Sequence, residues 1–196
     1  MRVLCDSDKK YLLRIEHDCD CESPADFDCQ WKIYTFGNRL ITDALKSRFL
    51  DDNGNPRMWL RNKIRVGLAF PLNYSEHGLS NYAVGHGDFS DGVVVWEHSP
   101  SEIGAKDVAG REKDCAAFCE EYTRWANGEC CGYVIEDATG ELIDSCWGFI
   151  GEYVIEAIRE ALPEDATEEN TEIAGECKDI TSYLPVFKAK GSVDRQ

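Results

Sequence analysis

Ten cysteines and four histidines are the residues of this chain with the widest chemical reach. Three thiols and an imidazole fall close together at His17, Cys19, Cys21 and Cys29. Thiolate and imidazole suit a tetrahedral zinc ion, so these four are the candidate metal ligands. Structural zinc usually draws on cysteine pairs two to four residues apart on each of two knuckles, and a Cys-x-Cys step departs from that pattern. The acidic neighbours Asp18 and Asp20 would help bind a cation, but they also fit a solvated loop, which is the preferred reading. No cofactor is therefore expected, zinc being the one candidate.

A second group is Cys115, Cys119, Cys130 and Cys131. Cys115 and Cys119 stand one helical turn apart on an apolar stripe, and cysteine is among the most buried residue types, so core packing is expected there. A third arrangement is nucleophilic: Cys146, with His77 as base and Asp144 or Glu76 as orienting group. An imidazole close to a thiol lowers its pKa and activates it. Asp144 and Cys146 share one face of a strand, because side chains repeat with period two. The competing reading is an ordinary strand cysteine beside Trp147, and the chain is expected not to be an enzyme.

These residues must be positioned by elements visible as patterns. Lys10 to His17 and Cys29 to Phe36 alternate as strands. Leu40 to Phe49 has helical spacing, stopped by the polar run from Asp51 to Pro56. Ile64 to Tyr74 is strand-like, with Pro71 suggesting an edge or a bend. Gly78 to Gly92, broken by glycines, reads as an irregular excursion. Val93 to Trp96 is a short apolar run typical of a buried strand. Arg111 to Ala126 is the clearest helix, with Cys115, Phe118, Cys119 and Tyr122 on one face and Asn127-Gly128 as its stop. Cys130 to Asp137 and Leu142 to Trp147 form a hairpin, and Tyr153 to Leu162 a further amphipathic helix stopped by Pro163. From Pro163 the residues turn acidic. The expected fold is α+β, a mainly antiparallel sheet with two or three packed helices and an acidic C-terminal tail. Residues 1–162 would form a single domain and 163–196 an acidic linker and tail.

Asp and Glu number 37 against 21 Lys and Arg, a formal net charge of -16. Such a field repels nucleic acid and anionic membrane and favours basic partners. The first residues turn acidic before any apolar region of useful length, and no stretch approaches the ~18 apolar residues of a membrane span. A cytoplasmic protein is expected, without direct nucleic-acid or membrane contact. The densest basic cluster, Arg57, Arg61, Lys63 and Arg65, could bind a small anion. No phosphate-binding glycine loop is present, since Gly85-His86-Gly87 lacks the third glycine and the strand-to-helix setting.

Three stretches carry a resemblance. Ile135 to Gly151, with its string Asp144-Ser145-Cys146-Trp147-Gly148-Phe149, is similar to the ending of a family of small acidic proteins of tailed phages. Phe70-Pro71-Leu72-Asn73-Tyr74-Ser75-Glu76-His77-Gly78 resembles another stretch of that family. Phe89-Ser90-Asp91-Gly92 resembles its Trp-Asp-Ser-Gly turn, with Phe for Trp and the Ser-Asp order inverted. The resemblance runs from about Tyr11 to Gly151 and implies a phage or prophage accessory protein acting in the bacterial host cytoplasm.

With that origin the acidity gains a use, because an array of carboxylates can imitate nucleic-acid phosphates against a basic protein groove. The leading expectation is a non-enzymatic inhibitor of a host defence protein of the restriction or CRISPR type. It would contact the partner's basic face through Glu112, Asp114, Glu120 and Glu121 and through Glu164, Asp165, Glu168 and Glu169. The alternatives are a protein that sequesters a nucleotide signal, using Tyr74, His77, the Gly85 to Gly92 loop and Trp147 with Arg61 or Arg65 for phosphate, and a zinc-stabilised binding module built on the first cysteine group.

Overall fold

The computed structural model describes residues 8–27, 30–36, 42–86, 88–175 and 187. In chain order its elements are β1 (Tyr11–His17), β2 (Trp31–Thr35), α1 (Thr42–Phe49), α2 (Met58–Arg65), β3 (Ala69–His77), β4 (Leu79–Val84), β5 (Gly92–Trp96), α3 (Val108–Ala126), β6 (Cys130–Asp137), β7 (Leu142–Ile150), α4 (Tyr153–Ala161) and β8 (Thr171–Gly175). The fold is α+β with a mainly antiparallel strand pairing, as the alternating patterns and hairpin signals predict. None of the described helices is long and apolar enough to cross a membrane.

The chain divides into two compact units. Glu22–Asn127 forms a central unit, and the segments up to Cys21 and from Gly128 onward form a terminal unit. The terminal unit holds a sheet in the order β7-β6-β1-β8. Leu13 and Ile15 of β1 and Tyr133 and Ile135 of β6 point to one face, where α4 seals them with Val154, Ile158 and Leu162. Val154 and Ile158 stand four residues apart on α4, and Leu162, its C-cap, continues the same apolar stripe. Complete burial of Val154 and Ile158 contributes about 1.5–3 kcal/mol each. Leu162 leaves the helical region at ψ 136, as expected for the residue before Pro163.

Thr171–Gly175 is a strand, β8, which pairs in parallel with β1 from Tyr11↔Thr171 to Ile15↔Gly175. The expectation of an acidic linker and tail from 163 is thus corrected for residues 163–175. Ala166 and Thr171 are buried and Ile173 packs on the core, so apolar anchors between the carboxylates dock this segment. The backbone carbonyl of Asn170 accepts the N–H groups of Lys10 (2.8 Å) and Tyr11 (3.2 Å), and Asp165 meets Lys10 and Tyr11 at 2.6 Å each.

The central unit is a three-layer arrangement around a sheet in the order β2-β5-β3-β4. On one face Trp31, Phe70, Leu72, Val94 and Trp96 meet Cys115, Phe118 and Cys119 of α3. On the other, Ala69, Val93 and Val95 meet Phe49 of α1 and Leu60 of α2. Val93, Val94 and Val95 therefore contribute to both cores, which is why β5 reads as an unbroken apolar run. Two expectations fail here. Ile64 and Arg65 end helix α2 (Met58–Arg65) and do not begin the strand expected from Ile64, and Leu60 and Ile64 are the core-facing side of that helix. Leu79–Val84 is a regular strand rather than an excursion, paired with β3 from His77↔Leu79 to Leu72↔Val84. Helix α3 begins before Arg111 because Asp107 caps it, its carboxylate accepting the Gly110 N–H at 2.7 Å.

Candidate functional site

Strand β4 lies at the edge of its sheet, and a strand edge presents unpaired N–H and C=O groups. Helix α3 answers that need at two positions. The Asn127 side-chain amide accepts the Ser80 N–H and donates to the Ser80 carbonyl, both at 2.8 Å. The Thr123 hydroxyl accepts the Tyr82 N–H at 2.9 Å and donates to the Tyr82 carbonyl at 3.2 Å. Each side chain thus stands in for one residue of a neighbouring strand. Glycine at 128 (φ 75) lets the chain turn away directly after Asn127, which leaves that amide free to face the strand.

The next residue of the same parity is Val84. Gly85 N–H donates to the Pro71 carbonyl at 2.8 Å, which identifies Leu72↔Val84 as a pair that exchanges no backbone hydrogen bonds. The Val84 N–H and C=O therefore point away from β3. Among the described residues no α3 side chain caps them. About two and four turns up the helix from Thr123 stand Ala116 and Ala109, whose methyl groups cannot cap a backbone group. A cleft of about 420 Å³ opens at this place, lined by Tyr82, Ala83, Val84 and His86 on one side and by Ala109, Glu112, Lys113, Ala116 and Glu120 of α3 on the other.

The acidic residues expected on this helix separate into two sets. Glu112 and Glu120 both line the cleft, eight residues or about 12 Å apart along the axis. Asp114 instead accepts the Trp31 indole N–H at 2.9 Å. Glu121 is half-buried, and desolvation holds its carboxyl above the usual range. In the terminal unit Glu164, Glu168 and Glu169 are exposed, while Asp165 is occupied by Lys10 and Tyr11, whose hydrogen bonds lower its pKa.

Behind the cleft runs a series of rings. Tyr82 lies 4.9 Å from Tyr74 and 4.8 Å from Tyr122 between centroids. The Tyr74 hydroxyl donates to Glu76 at 2.7 Å, and that bond, followed by burial, raises it to about 12. Of the residues grouped for nucleotide capture, Tyr74 does not share a site with Arg61 and Arg65. Tyr74 packs on the α3 side of the sheet, whereas Arg61 and Arg65 belong to α2 on the opposite face. Three of the four clustered bases bind carbonyls: Arg57 that of Ser47, Arg61 that of Pro56 and Lys63 that of Trp96. His77 is exposed where β3 turns into β4, and Trp147 belongs to the terminal unit.

Asp144 and Cys146 do share a face of β7, opposite Ile135 and Tyr133. Asp144 accepts the Tyr133 hydroxyl at 2.9 Å, which together with the larger effect of burial pushes that phenol up to about 12. The Cys146 thiol is exposed and meets the carbonyl of Trp147 at 3.9 Å. Its intended base, His77, is in the central unit.

No family model, curated protein or solved structure matches this chain. Its chemistry is therefore read from its own residues.

The cysteine groups are placed as follows. His17 and Cys19 are exposed, Cys21 is half-buried, and Cys29 lies outside the described residues. Cys21 meets the Cys130 thiol, which burial, and then that bond, pushes up to about 12. Among the described residues no group of three or more His, Cys, Asp or Glu is arranged to hold a metal ion. Cys115 and Cys119 are core residues of the central unit, and burial drives the Cys115 thiol far up. Cys130 and Cys131 are neighbours in a strand and so point to opposite faces of their sheet.

Sequence reasoning found Glu112 and Glu120 through their charge on a helix, but missed the opposite wall. The signal available was the alternation Ser80, Tyr82, Val84 between Gly78 and Gly85, which reads as a strand once the glycines are taken as its ends.

Proposed function

We propose that this chain is a non-enzymatic binding protein that holds a basic protein partner. In the setting its sequence resemblance implies, it is a phage accessory protein that blocks a host defence protein in the bacterial cytoplasm. The observation that carries this reading is the cleft between β4 and α3, which places Glu112 and Glu120 on one wall of a molecule with a net charge of -16. Carboxylates arranged this way steer a cationic surface and fix its register more than they add raw affinity.

The test is capture of basic nucleic-acid-binding proteins from host lysate by the immobilised full-length chain. Comparison is made with Glu112→Lys/Glu120→Lys and, separately, with Glu164→Lys/Glu168→Lys/Glu169→Lys. Capture should be lost as salt shortens the screening length from about 10 Å at 0.1 M toward 3 Å at 1 M. It should fall at least tenfold in the cleft variant. A fall confined to the second variant would move the contact to the terminal unit. Equal capture by all three proteins would end the reading.

A small-ligand role draws on the same cleft, whose volume lies in the range of ligand pockets and whose walls include Tyr82 and His86. A nucleotide retained by the purified chain, and released on Tyr82→Ala, would favour it.

A further inference from the structure

Helix α3 completes the edge of β4 at Ser80 and Tyr82 and stops short of Val84. The strand thus carries two residues whose outward backbone groups are paired and, in the same direction, a third whose N–H and C=O face an open cleft. An unpaired N–H and C=O at one residue spacing is what an incoming extended chain pairs with when it adds to a sheet edge. The helix wall of that cleft includes two small side chains, Ala109 and Ala116, beside Glu112, Lys113 and Glu120.

We infer that this cleft takes an extended Lys- or Arg-bearing peptide segment of a partner protein, which adds beside β4 as a new edge strand paired with Val84. The inference deepens the binding reading above and rests on it. Its alternate residues would point to the α3 side, the side on which Val84 lies with Leu72. Long basic side chains suit that side. Their methylene stems can lie over Ala109 and Ala116 while their charged ends reach Glu112 and Glu120. Glu112 and Glu120 stand about 12 Å apart along the helix, so the cleft favours cations at two separated positions over a uniform run of positive charge. The mode differs from a flat acidic face in that the backbone of the partner, as well as its charge, is recognised.

The probe is an end-blocked eight-residue peptide of alternating Lys and Val, titrated into the isotope-labelled full-length chain, with the Glu/Val peptide as control. The expected result is a saturable shift of the Val84 amide resonance, slower hydrogen exchange at that amide, and at least tenfold weaker binding of the Glu/Val peptide. Two variants test the geometry. Val84→Pro removes the outward donor, and proline is tolerated at an edge position whose N–H the ladder does not use. Ala116→Trp fills the cleft from the helix side and serves if the proline variant does not fold. Either should weaken the Lys/Val peptide at least tenfold.

If the peptide fails to bind, or binds equally to Ala116→Trp, or leaves the Val84 amide unmoved, strand addition is wrong. The broader binding reading then stands or falls separately, on whether Glu112→Lys/Glu120→Lys loses its lysate partners. Equal affinity for the Lys and Glu peptides would overturn the choice of a basic segment.

Discussion

Strand β7 in the terminal unit and strand β4 in the central unit both lie at the edge of a sheet, and each must manage a row of outward backbone groups by different chemistry. In β7 the devices are charge and irregularity. Its pairing with β6 slips between Cys131 and Tyr133 and again between Ile135 and Glu136, and such bulges twist an edge away from would-be partners. Asp144 accepts the Ser145 N–H and Asp18 the Gly148 N–H, both at 2.9 Å. Carboxylates only accept, so they block donors and repel further acidic chains. In β4 the caps are an amide and a hydroxyl, which donate and accept at the same residue as a strand would. That kind of cap ends cleanly, and where it ends Val84 is left ready for pairing. One edge is defended by charge and irregularity, whereas the other is capped at two residues and, on the inference above, open at Val84.

The comparison breaks most readily if the β4 caps are removed. Asn127→Ala with Thr123→Val should cost about 2–4 kcal/mol, since each substitution strands a half-buried donor and acceptor that now pair. Urea unfolding reads the loss. The longer unpaired edge should also promote self-association at high concentration, seen by sedimentation. A loss under about 0.5 kcal/mol would mean that water replaces the caps freely and that β4 is no better defended at Ser80 than at Val84.

The corresponding strike at β7 is Gly132→Ala. A methyl group there would lie 2.3 Å from the Trp147 ring and 2.8 Å from the Cys146 carbonyl. Glycine is what allows the half-exposed indole to lie across β6 and hold β7 in its slipped register. The substitution should cost about 1–3 kcal/mol, and the displaced tryptophan should emit at longer wavelength. In the double variant with Trp147→Ala, most of the added cost of the methyl should vanish, leaving only the part due to the carbonyl. If it does not vanish, the backbone contact and not the ring demands glycine.

The two edges were unequally readable from sequence, for physical reasons. The β6–β7 hairpin is local: alternation on both sides of Ala138-Thr139-Gly140-Glu141 announces it, and its turn is satisfied within itself. Helices α3 and α4 carry their own periodicity and stops. Strand β4 is short and flanked by glycines, and its regularity depends on Thr123 and Asn127, 41 and 47 residues away. Helix α2 was hidden because Ile64 and Leu68 look like the start of a strand, while its bases cap carbonyls instead of lining a site. In β8 the alternation of Thr171 and Ile173 is obscured by surrounding carboxylates and gains meaning only beside β1. The candidate site combines one legible wall, the acidic stripe of α3, with one illegible wall, and Asp114 and Glu121 belong to the same stripe in sequence but not to the cleft.

The smallest expected effect concerns the turn that delivers β7 to its edge. The Asp137 carboxylate accepts the Thr139 hydroxyl at 2.7 Å and the N–H groups of Thr139 at 2.8 Å and Glu141 at 2.9 Å. These bonds, that of the Thr139 hydroxyl first, hold its pKa below the ordinary 3.8. A carboxyl whose folded pKa is depressed stabilises the fold above its unfolded pKa, and that contribution disappears as pH falls through the folded value. The hairpin should therefore loosen on acidification below about pH 4, with amide exchange in β7 accelerating before that in β4. Asparagine keeps an acceptor oxygen at the same place but cannot be protonated in this range. Asp137→Asn should thus leave the turn intact near neutral pH and flatten the acid dependence of exchange in β7. The comparison sharpens if β4, whose caps are an amide and a hydroxyl without titration in this range, shows no such dependence in either protein.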